Sequence, residues 1–185
     1  SYYASVECIA RGLNPLEARL LVADPTRSDN TFCLAVSPAL KAIGVPGRPR
    51  LFEAKQAIRR AEIECGHEIE YIIAPPRMAE YVRISSEIYS IYMNFVSPED
   101  IHVYRIDECF MDITHYLHMY KEAAIRHKVS ASREMAMTII KAVLSETGIV
   151  STAGIGTNMY LAKVGMDIVA KKSKADEDGV RIAEL

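Results

Sequence analysis

The stretch YRIDECFMDIT, from Tyr104 to Thr114, places two adjacent acids, Asp107 and Glu108, among apolar and aromatic residues. Its composition predicts strand structure across Ile101 to Thr114, with a bend or hairpin at the acidic pair. Burial of two neighbouring carboxylates costs several kcal/mol unless a cation compensates. Mg²⁺ is the natural compensator, because it takes oxygen ligands from one or two carboxylates plus substrate phosphates. A solvated acidic turn is the alternative, and the dipeptide alone does not decide between the two.

Outward from this stretch, the sequence predicts helices interleaved with short strands. Apolar residues recur at intervals of three and four in the helices, and several helices end at a glycine. These elements predict an α+β fold in which helices cover one face of a sheet. The predicted helices are Tyr2–Arg11, Pro38–Ile43, Leu51–Cys65, a long helix after Pro76, Ser130–Thr147 and a last helix capped by Thr157 or Asn158, and the predicted strands are RLLVAD, FCLAVS, His67–Ala74 and IVSTAGIG.

Three of the predicted helices carry an apolar stripe that we expect to face a core. The stripes are Leu51, Ala54, Ile58 and Ile63; then Met78, Tyr81, Val82, Ser85, Ile88, Tyr89, Tyr92 and Phe95; and finally Leu161, Val164, Ile168 and Val169.

The segment GIG contains two glycines, Gly154 and Gly156, but lacks the rest of a phosphate-binding glycine motif. We therefore interpret GIG as a turn that lets the strand pass tightly into the last helix.

The composition is that of an ordinary globular protein. The 185 residues, 50% of them hydrophobic, suffice for one large or two small domains. The formal charge of −2 does not favour a nucleic-acid-binding module, since such modules usually carry surplus Lys and Arg. The four cysteines form no CxxC pair and the five histidines lack zinc-ligand spacing, so we expect no zinc site, no disulfide framework and a cytoplasmic location. We expect no membrane role, because the sequence has no apolar run of about 18 residues.

Three separated segments resemble the successive core motifs of Y-family (translesion, lesion-bypass) DNA polymerases, especially the bacterial ImpB/MucB/SamB-like branch. They are SYYASVE (residues 1–7), RIDECFMDIT (105–114) and STAGIGTNMYLAKVGMDIVAK (151–171), in the order and approximate spacing of the family. The resemblance implies a polymerase palm, which is a ferredoxin-like antiparallel sheet backed by helices, at 1–22 and 75–185. A small fingers subdomain would occupy 23–74. The resemblance also implies a strand with a metal-binding Asp ahead of the first motif.

The same resemblance implies site roles for the acids and for two tyrosines. Asp107 would be catalytic and bridge two Mg²⁺ ions, with Mn²⁺ as a substitute, and Glu108 would hold the metal at the primer 3′ end. Tyr3 matches the aromatic residue under the sugar of the incoming nucleotide, where its ring would exclude a ribose 2′-hydroxyl. Tyr2 would place its backbone N–H near the phosphates. Asp112, in the same run, is interpreted as structural.

Two lysines match basic positions that bind the nucleotide triphosphate in the family. Lys163 lies in the last predicted helix and Lys41 lies in the segment SPALKAIG. The more familiar branch of the family has an aromatic residue and an Arg where this chain has Pro38 and Lys41. The lesion-bypass branch tolerates a similar Ser-x-x-x-Lys arrangement, which places the chain nearer to that branch.

The function implied is template-directed DNA synthesis past damaged bases, with primer-template DNA and dNTP as partners, in DNA repair and the SOS response. A thumb, a DNA-gripping module and a contact with a sliding clamp are expected beyond Leu185, so residues 1–185 alone should bind DNA weakly. One alternative is a catalytically silent, polymerase-like module for DNA binding or assembly. A second is a palm-fold nucleotide cyclase, although its GGDEF-like turn is absent from the sequence.

Overall fold

The computed structural model describes residues 1–176 and 179–185, and the chain divides into two compact units, Ser1–Tyr81 and Val82–Leu185. Helices and small sheets alternate along the chain, so the predicted α+β class is confirmed. The helices are α1 (Tyr2–Ile9), α2 (Pro38–Ala42), α3 (Leu51–Cys65), α4 (Met78–Tyr92), α5 (Lys121–His127), α6 (Ala131–Thr147) and α7 (Met159–Val164). The strands are β1 (Leu20–Val22), β2 (Ala35–Val36), β3 (Ile72–Ala74), β4 (Ile101–Arg105), β5 (Glu108–Met111), β6 (Thr152–Ile155) and β7 (Arg181–Glu184).

The first unit is built on a three-stranded sheet in the order β2-β1-β3. The central strand β1 runs antiparallel to β2 and parallel to β3, and all three of its residues are fully buried. Leu51, Ala54 and Ile58 of α3 pack in the same core, as predicted. Ile63 was wrongly assigned to this stripe and is 75% exposed. The five-residue step from Ile58 turns its side chain by about 140° around the helix.

The strands of this unit are shorter than predicted. In the segment FCLAVS, the Cys33 N–H donates to the Pro49 carbonyl, while Leu34 donates to Val22 of β1. The segment therefore changes partner along its length, and only Ala35 and Val36 form a strand with β1. The predicted strand His67–Ala74 is likewise reduced to its last three residues, Ile72–Ala74.

The second unit contains two small sheets, an antiparallel hairpin of β4 and β5 and a parallel pair of β6 and β7. Strand β7 was not predicted. The antiparallel pairing expected for a palm is present in β4–β5, whereas β6–β7 is parallel. Ile101 and Met135 pack in one core of this unit, and Ile140 and Ile182 pack in another.

Two apolar stripes differ from the prediction at their ends. In α4 the buried face contains Tyr81, Ile88 and Ile91. Val82 follows Tyr81 in sequence and therefore lies on a different side of the helix, where it is exposed. Met78, in the first turn, is exposed as well.

After α7 the chain continues as a π-helical turn, Gly165–Val169, and then as a 3₁₀ turn. A π turn closes i→i+5 hydrogen bonds and so shifts the positions that face inward. As a result Gly165 and Ala170 are buried, and the predicted core residues Ile168 and Val169 are exposed.

Within the two described ranges, no helix is long and apolar enough to cross a membrane. Among the cysteines, Cys8 and Cys33 are buried, Cys109 is half-buried and Cys65 is exposed.

Candidate active site

The acidic pair lies where the β4–β5 hairpin reverses direction. Arg105 pairs with Glu108, so Ile106 and Asp107 form the two-residue connection, and Ser85 of α4 donates a 2.5 Å hydrogen bond to the Ile106 carbonyl. Glu108 begins β5 and is half-buried, but Asp107 is exposed. The expectation that both acids are buried in an apolar run is therefore wrong for Asp107. The reason is its place at the hairpin tip, beyond a strand whose last four residues are exposed.

Glu108 forms an ion pair with Lys163, which lies 55 residues further along the chain. The Lys163 ammonium is 2.7 Å from Glu108 Oε2 and 3.0 Å from Asp167 Oδ2, and Asp167 also pairs with Lys171. Desolvation lowers the pKa of Lys163, but hydrogen bonds to Glu108 and Asp167 outweigh it and leave the pKa raised. Lys163 is therefore a firmly protonated cation that two carboxylates share.

The position of Lys163 depends on how closely α7 approaches β6. Asn158 begins the helix, and its side-chain Oδ1 accepts a hydrogen bond from the Leu161 N–H. Gly154 lies inside β6, where an added Cβ would stand 2.1 Å from the Ala162 carbonyl oxygen and 2.3 Å from the Met166 nitrogen. The interpretation of GIG as a turn is thus wrong for Gly154. Glycine is needed there because the helix backbone presses directly on the strand.

A cavity of about 800 Å³ opens beside the ion pair in the second unit. Its wall contains the charged groups of Glu108 and Lys163 and four further carboxylates, those of Glu99, Asp100, Asp112 and Glu184. Most of the remaining lining is apolar and includes Met111, Ile139 and Ile155. Such a cavity, with a few convergent polar groups on an apolar lining, has the form of a ligand site.

The acids fit a divalent cation in chemistry but form an incomplete ligand set. Carboxylate oxygen is the donor that Mg²⁺ prefers, and one or two carboxylates suffice when substrate phosphates complete the shell. Within the part of the chain that the structure describes, no three His, Cys, Asp or Glu side chains converge on one point. Glu108 is also engaged by Lys163. A metal at this position would need further oxygen ligands from elsewhere.

The predicted residues of the first unit have a different setting. The Tyr3 ring stacks on the Tyr81 ring, with centroids 4.5 Å apart and planes at 18°. The Tyr2 hydroxyl donates to the Tyr81 carbonyl at 2.7 Å, and the rings of Tyr2 and Tyr3 are 5.7 Å apart. Lys41 is exposed in the last turn of α2. The nucleotide-binding roles of these residues stay predictions.

The sequence did not point to a buried ionic cluster around Glu7. The Glu7 side chain is 0% exposed and accepts two hydrogen bonds from the Arg77 guanidinium. The Arg77 Nε lies 2.9 Å from Oε1, and Nη2 lies 3.1 Å from Oε2. Arg11 and the Tyr81 hydroxyl also donate to it. Burial raises the pKa of Glu7, but these donors outweigh burial and hold the pKa below its ordinary value. The i,i+4 spacing of Glu7 and Arg11 was a visible signal, whereas no spacing rule links Glu7 to Arg77.

Asp112 makes local hydrogen bonds, as expected of a structural residue, and its role stays a prediction. Its Oδ1 accepts hydrogen bonds from the Thr114 N–H at 3.0 Å and from the Thr114 hydroxyl at 2.6 Å. These two bonds lower the pKa of the Asp112 carboxyl. The side chain thereby closes a local turn just ahead of the 3₁₀ helix Thr114–Tyr120, whose N-cap residue is Ile113, and Asp commonly makes such turns.

Comparison with known proteins identifies relatives along most of the chain. The model of the impB/mucB/samB family matches residues 1–167. UvrX of Bacillus subtilis, whose name links it with UV-damage repair, is 35% identical over 95% of this chain and 36% of its own length. DNA polymerase IV 2 of Halalkalibacterium halodurans is 34% identical over 93% of this chain and 37% of its own length. The chain therefore spans about a third of the length of these relatives.

Solved structures with the same fold include a Y-family DNA polymerase chimera of Dbh and Dpo4, with a TM-score of 0.71 at 19% identity, covering 99% of this chain and 46% of the chimera. An insertion ternary complex of Dbh DNA polymerase gives 0.70 at 21% identity, covering 98% of this chain and 45% of that one. At such identities the likeness concerns the fold alone. The chain belongs to the impB/mucB/samB family, and its fold is that of the matching part of Y-family DNA polymerases.

Proposed function

We propose that this chain is the part of a DNA polymerase that carries out nucleotidyl transfer from dNTP to a primer 3′-hydroxyl, opposite damaged template bases. The observation that carries the proposal is the 2.7 Å contact between Glu108 and Lys163. It joins the second and third motifs, which are distant in sequence, beside a cavity. Membership of a family whose relatives include DNA polymerase IV proteins supports the same reaction.

The acids would hold the divalent cations and the lysine would meet the triphosphate. When bound, two Mg²⁺ ions would stabilise the charge on the attacking and leaving oxygens. Asp107 is already exposed, so it can approach such an ion without first leaving a partner among the described residues. Lys163 keeps its proton, because its pKa is raised, and phosphate oxygens can replace Glu108 as its acceptor. That exchange would release the Glu108 carboxylate for metal binding.

The remaining site residues act on the nucleotide in this proposal. Tyr3 would lie under the sugar and exclude a 2′-hydroxyl, and Tyr2 would offer its backbone N–H to the phosphates. Lys41 would add a second positive charge for the triphosphate, where an ammonium acts as a mobile point charge.

One further strand that carries an Asp would complete the set of acids. Strands β5 and β6 both line the cavity, and among the described residues each has a single strand partner, β4 and β7 respectively. Each therefore has an unpaired edge, which a strand of the same protein can cover. The residues encoded before Ser1 test this idea, since an Asp two to four positions earlier would support it and its absence would count against it.

Primer extension by the complete protein with Mg²⁺ tests the proposed reaction. We expect Asp107→Ala and Glu108→Ala each to lower kcat by about a hundredfold or more, because charge stabilisation by metals and dipoles is a large part of catalysis. Asp24→Asn is the matched control, since Asp24 lies outside the cavity and Asn keeps the oxygen that accepts from Thr26. Unchanged rates in both alanine variants would remove the catalytic proposal.

The competing candidate is a catalytically silent, polymerase-like protein that serves DNA binding or assembly. The incomplete ligand set among the described residues favours it. DNA binding without primer extension by the complete parent protein would establish this alternative. The family match over residues 1–167 removes the cyclase alternative. The sliding-clamp contact, the SOS response and the cytoplasmic location stay predictions.

A further inference from the structure

We propose that Glu7, Arg77 and Tyr81 are positioning residues that fix the Tyr3 ring and thereby set discrimination between deoxyribose and ribose. The inference rests on the proposed function, in which Tyr3 lies under the nucleotide sugar. It assigns a specificity role to a buried carboxylate that would touch neither nucleotide nor metal.

The argument starts from the face of Tyr3 that is covered. Its ring lies nearly parallel to the ring of Tyr81, at 18° and 4.5 Å, so Tyr81 blocks movement of Tyr3 on that side. Tyr81 is 0% exposed, and the hydroxyl of Tyr2 holds its carbonyl at 2.7 Å. A fully packed aromatic ring has little freedom to move, and its stacked neighbour shares that restriction.

Glu7 then fixes the far end of the Tyr81 ring. The Tyr81 hydroxyl donates to Glu7 Oε1 at 2.8 Å. Burial raises the pKa of Tyr81 to about 12, so the hydroxyl remains a donor at any pH used for an assay. The bidentate fork of Arg77 sets the plane of the Glu7 carboxylate, and Arg11 donates to the same group. A carboxylate held by three residues cannot rotate away from the tyrosine.

Steric exclusion of one hydroxyl requires such immobility. Deoxyribose and ribose differ by a single oxygen atom, and a ring that could move by about 1 Å would leave room for it. Packing alone discriminates weakly between substrates that differ by a hydroxyl, so the position of the excluding ring has to be tightly defined. The residues around Glu7 hold the Tyr81 ring, and through it the Tyr3 ring, in one position by charge-assisted hydrogen bonds, which are stronger than neutral ones.

A purely structural role for the cluster makes a different prediction. If Glu7 only stabilises the first unit, its substitution lowers the amount of folded enzyme and affects dNTP and NTP incorporation equally. If the cluster positions Tyr3, the ratio of kcat/KM for dNTP to kcat/KM for NTP falls. That ratio does not depend on the fraction of enzyme that is folded.

The experiment is single-nucleotide primer extension by the complete protein, with dCTP and CTP opposite a template G. The variants are Tyr3→Ala, Glu7→Gln, Tyr81→Phe and the double variant Tyr3→Ala/Glu7→Gln. Cys8→Ala is the matched control, because Cys8 is a fully buried neighbour in α1 outside the cluster. Gln keeps the size of Glu without its charge, and Phe keeps the stacked ring without the hydroxyl, so both preserve the packing.

We expect Tyr3→Ala to lower the dCTP/CTP ratio by about a hundredfold, and Glu7→Gln and Tyr81→Phe to lower it by about fivefold or more. The ratio in Cys8→Ala should equal that of the parent. In the Tyr3→Ala background, Glu7→Gln should cause no further loss, because both changes act through one ring.

The outcomes separate the inference from the function on which it rests. No dCTP incorporation by the parent would reject both. Normal incorporation, with a ratio that falls in Tyr3→Ala but not in Glu7→Gln or Tyr81→Phe, would overturn the positioning role and leave the polymerase proposal intact. A ratio unaffected by Tyr3→Ala would likewise overturn it. If Glu7→Gln does not fold, the dCTP/CTP ratio of Tyr81→Phe alone tests the positioning role.

Discussion

Glu7 in the first unit and Glu108 in the second are both carboxylates paired with cations, but their surroundings differ. The Glu7 side chain is 0% exposed and accepts hydrogen bonds from three residues, whereas the Glu108 side chain is 20% exposed and is paired with Lys163, which it shares with Asp167. A buried, saturated carboxylate is costly to disturb. A partly solvated carboxylate with one shared partner can exchange that partner. The difference suggests that the first cluster supports geometry and the second is available for chemistry.

The largest expected effect concerns the stability contrast between the two acids. Glu7→Ala should lower the free energy of unfolding by about 3 kcal/mol, because it removes the partner of two arginines and leaves the buried Tyr81 hydroxyl without an acceptor. Glu108→Ala, as the control in the second unit, should cost less than about 1 kcal/mol. Urea denaturation of both variants checks this, and equal losses would abolish the contrast.

A smaller effect is expected at the strand beneath Lys163. Gly154→Ala should destabilise the protein by about 2 kcal/mol, because the new methyl group meets helix backbone atoms that cannot move independently. Gly165→Ala is the control, since its nearest contacts would be at 3.5 Å or more. Thermal melts of the two variants should differ clearly, and a tolerated alanine at Gly154 would show that α7 can shift away from β6.

The pH dependence of stability should reveal the contribution of the buried Glu7 carboxylate. The pKa of Glu7 is lowered, since its donors outweigh burial. A group with a lowered folded pKa contributes stability above its unfolded pKa, about 4.3 for Glu, and loses it as pH falls through the folded value. We expect the unfolding free energy to fall as the pH drops below about 5, through the unfolded pKa and then the lowered folded pKa of Glu7, and to fall less steeply in Glu7→Gln. Parallel pH profiles for parent and variant would contradict this.

The smallest effect is predicted for the exposed end of the second cluster. Lys171→Ala removes one of the two cations that Asp167 contacts, and both side chains of that pair are partly exposed. Exposed i,i+4 pairs contribute about 0.3 to 0.5 kcal/mol, so the loss should be near that value and should shrink in high salt. A loss above about 1.5 kcal/mol would mean that this cluster is as rigid as the one around Glu7.

The sequence by itself determined the α+β class, the limits of α3 and α6, the hairpin at Asp107 and the family. These features depend on local signals: helical periodicity, a Ser cap and a terminal Gly for α6, and strand composition on both sides of two acids. Local conformation is set largely by neighbouring residues, so a single sequence can reveal it. The candidate residues Glu108 and Lys163 were identified through their motifs, but their 2.7 Å contact was not predicted.

Only the tertiary structure decided which side chains share an environment. The parallel partner of β6 and the cluster of Glu7 with Arg77 depend on segments far apart in the chain. The exposure of Asp107 and the close approach that requires Gly154 depend on how neighbouring elements pack after they form. Periodicity and composition carry no information about such pairs, because burial and ion pairing arise only when distant segments pack together. Glu7 shows this most clearly. Its sequence context is that of an ordinary acid in a helix, but its side chain is fully buried and pairs with Arg77, which lies seventy residues away.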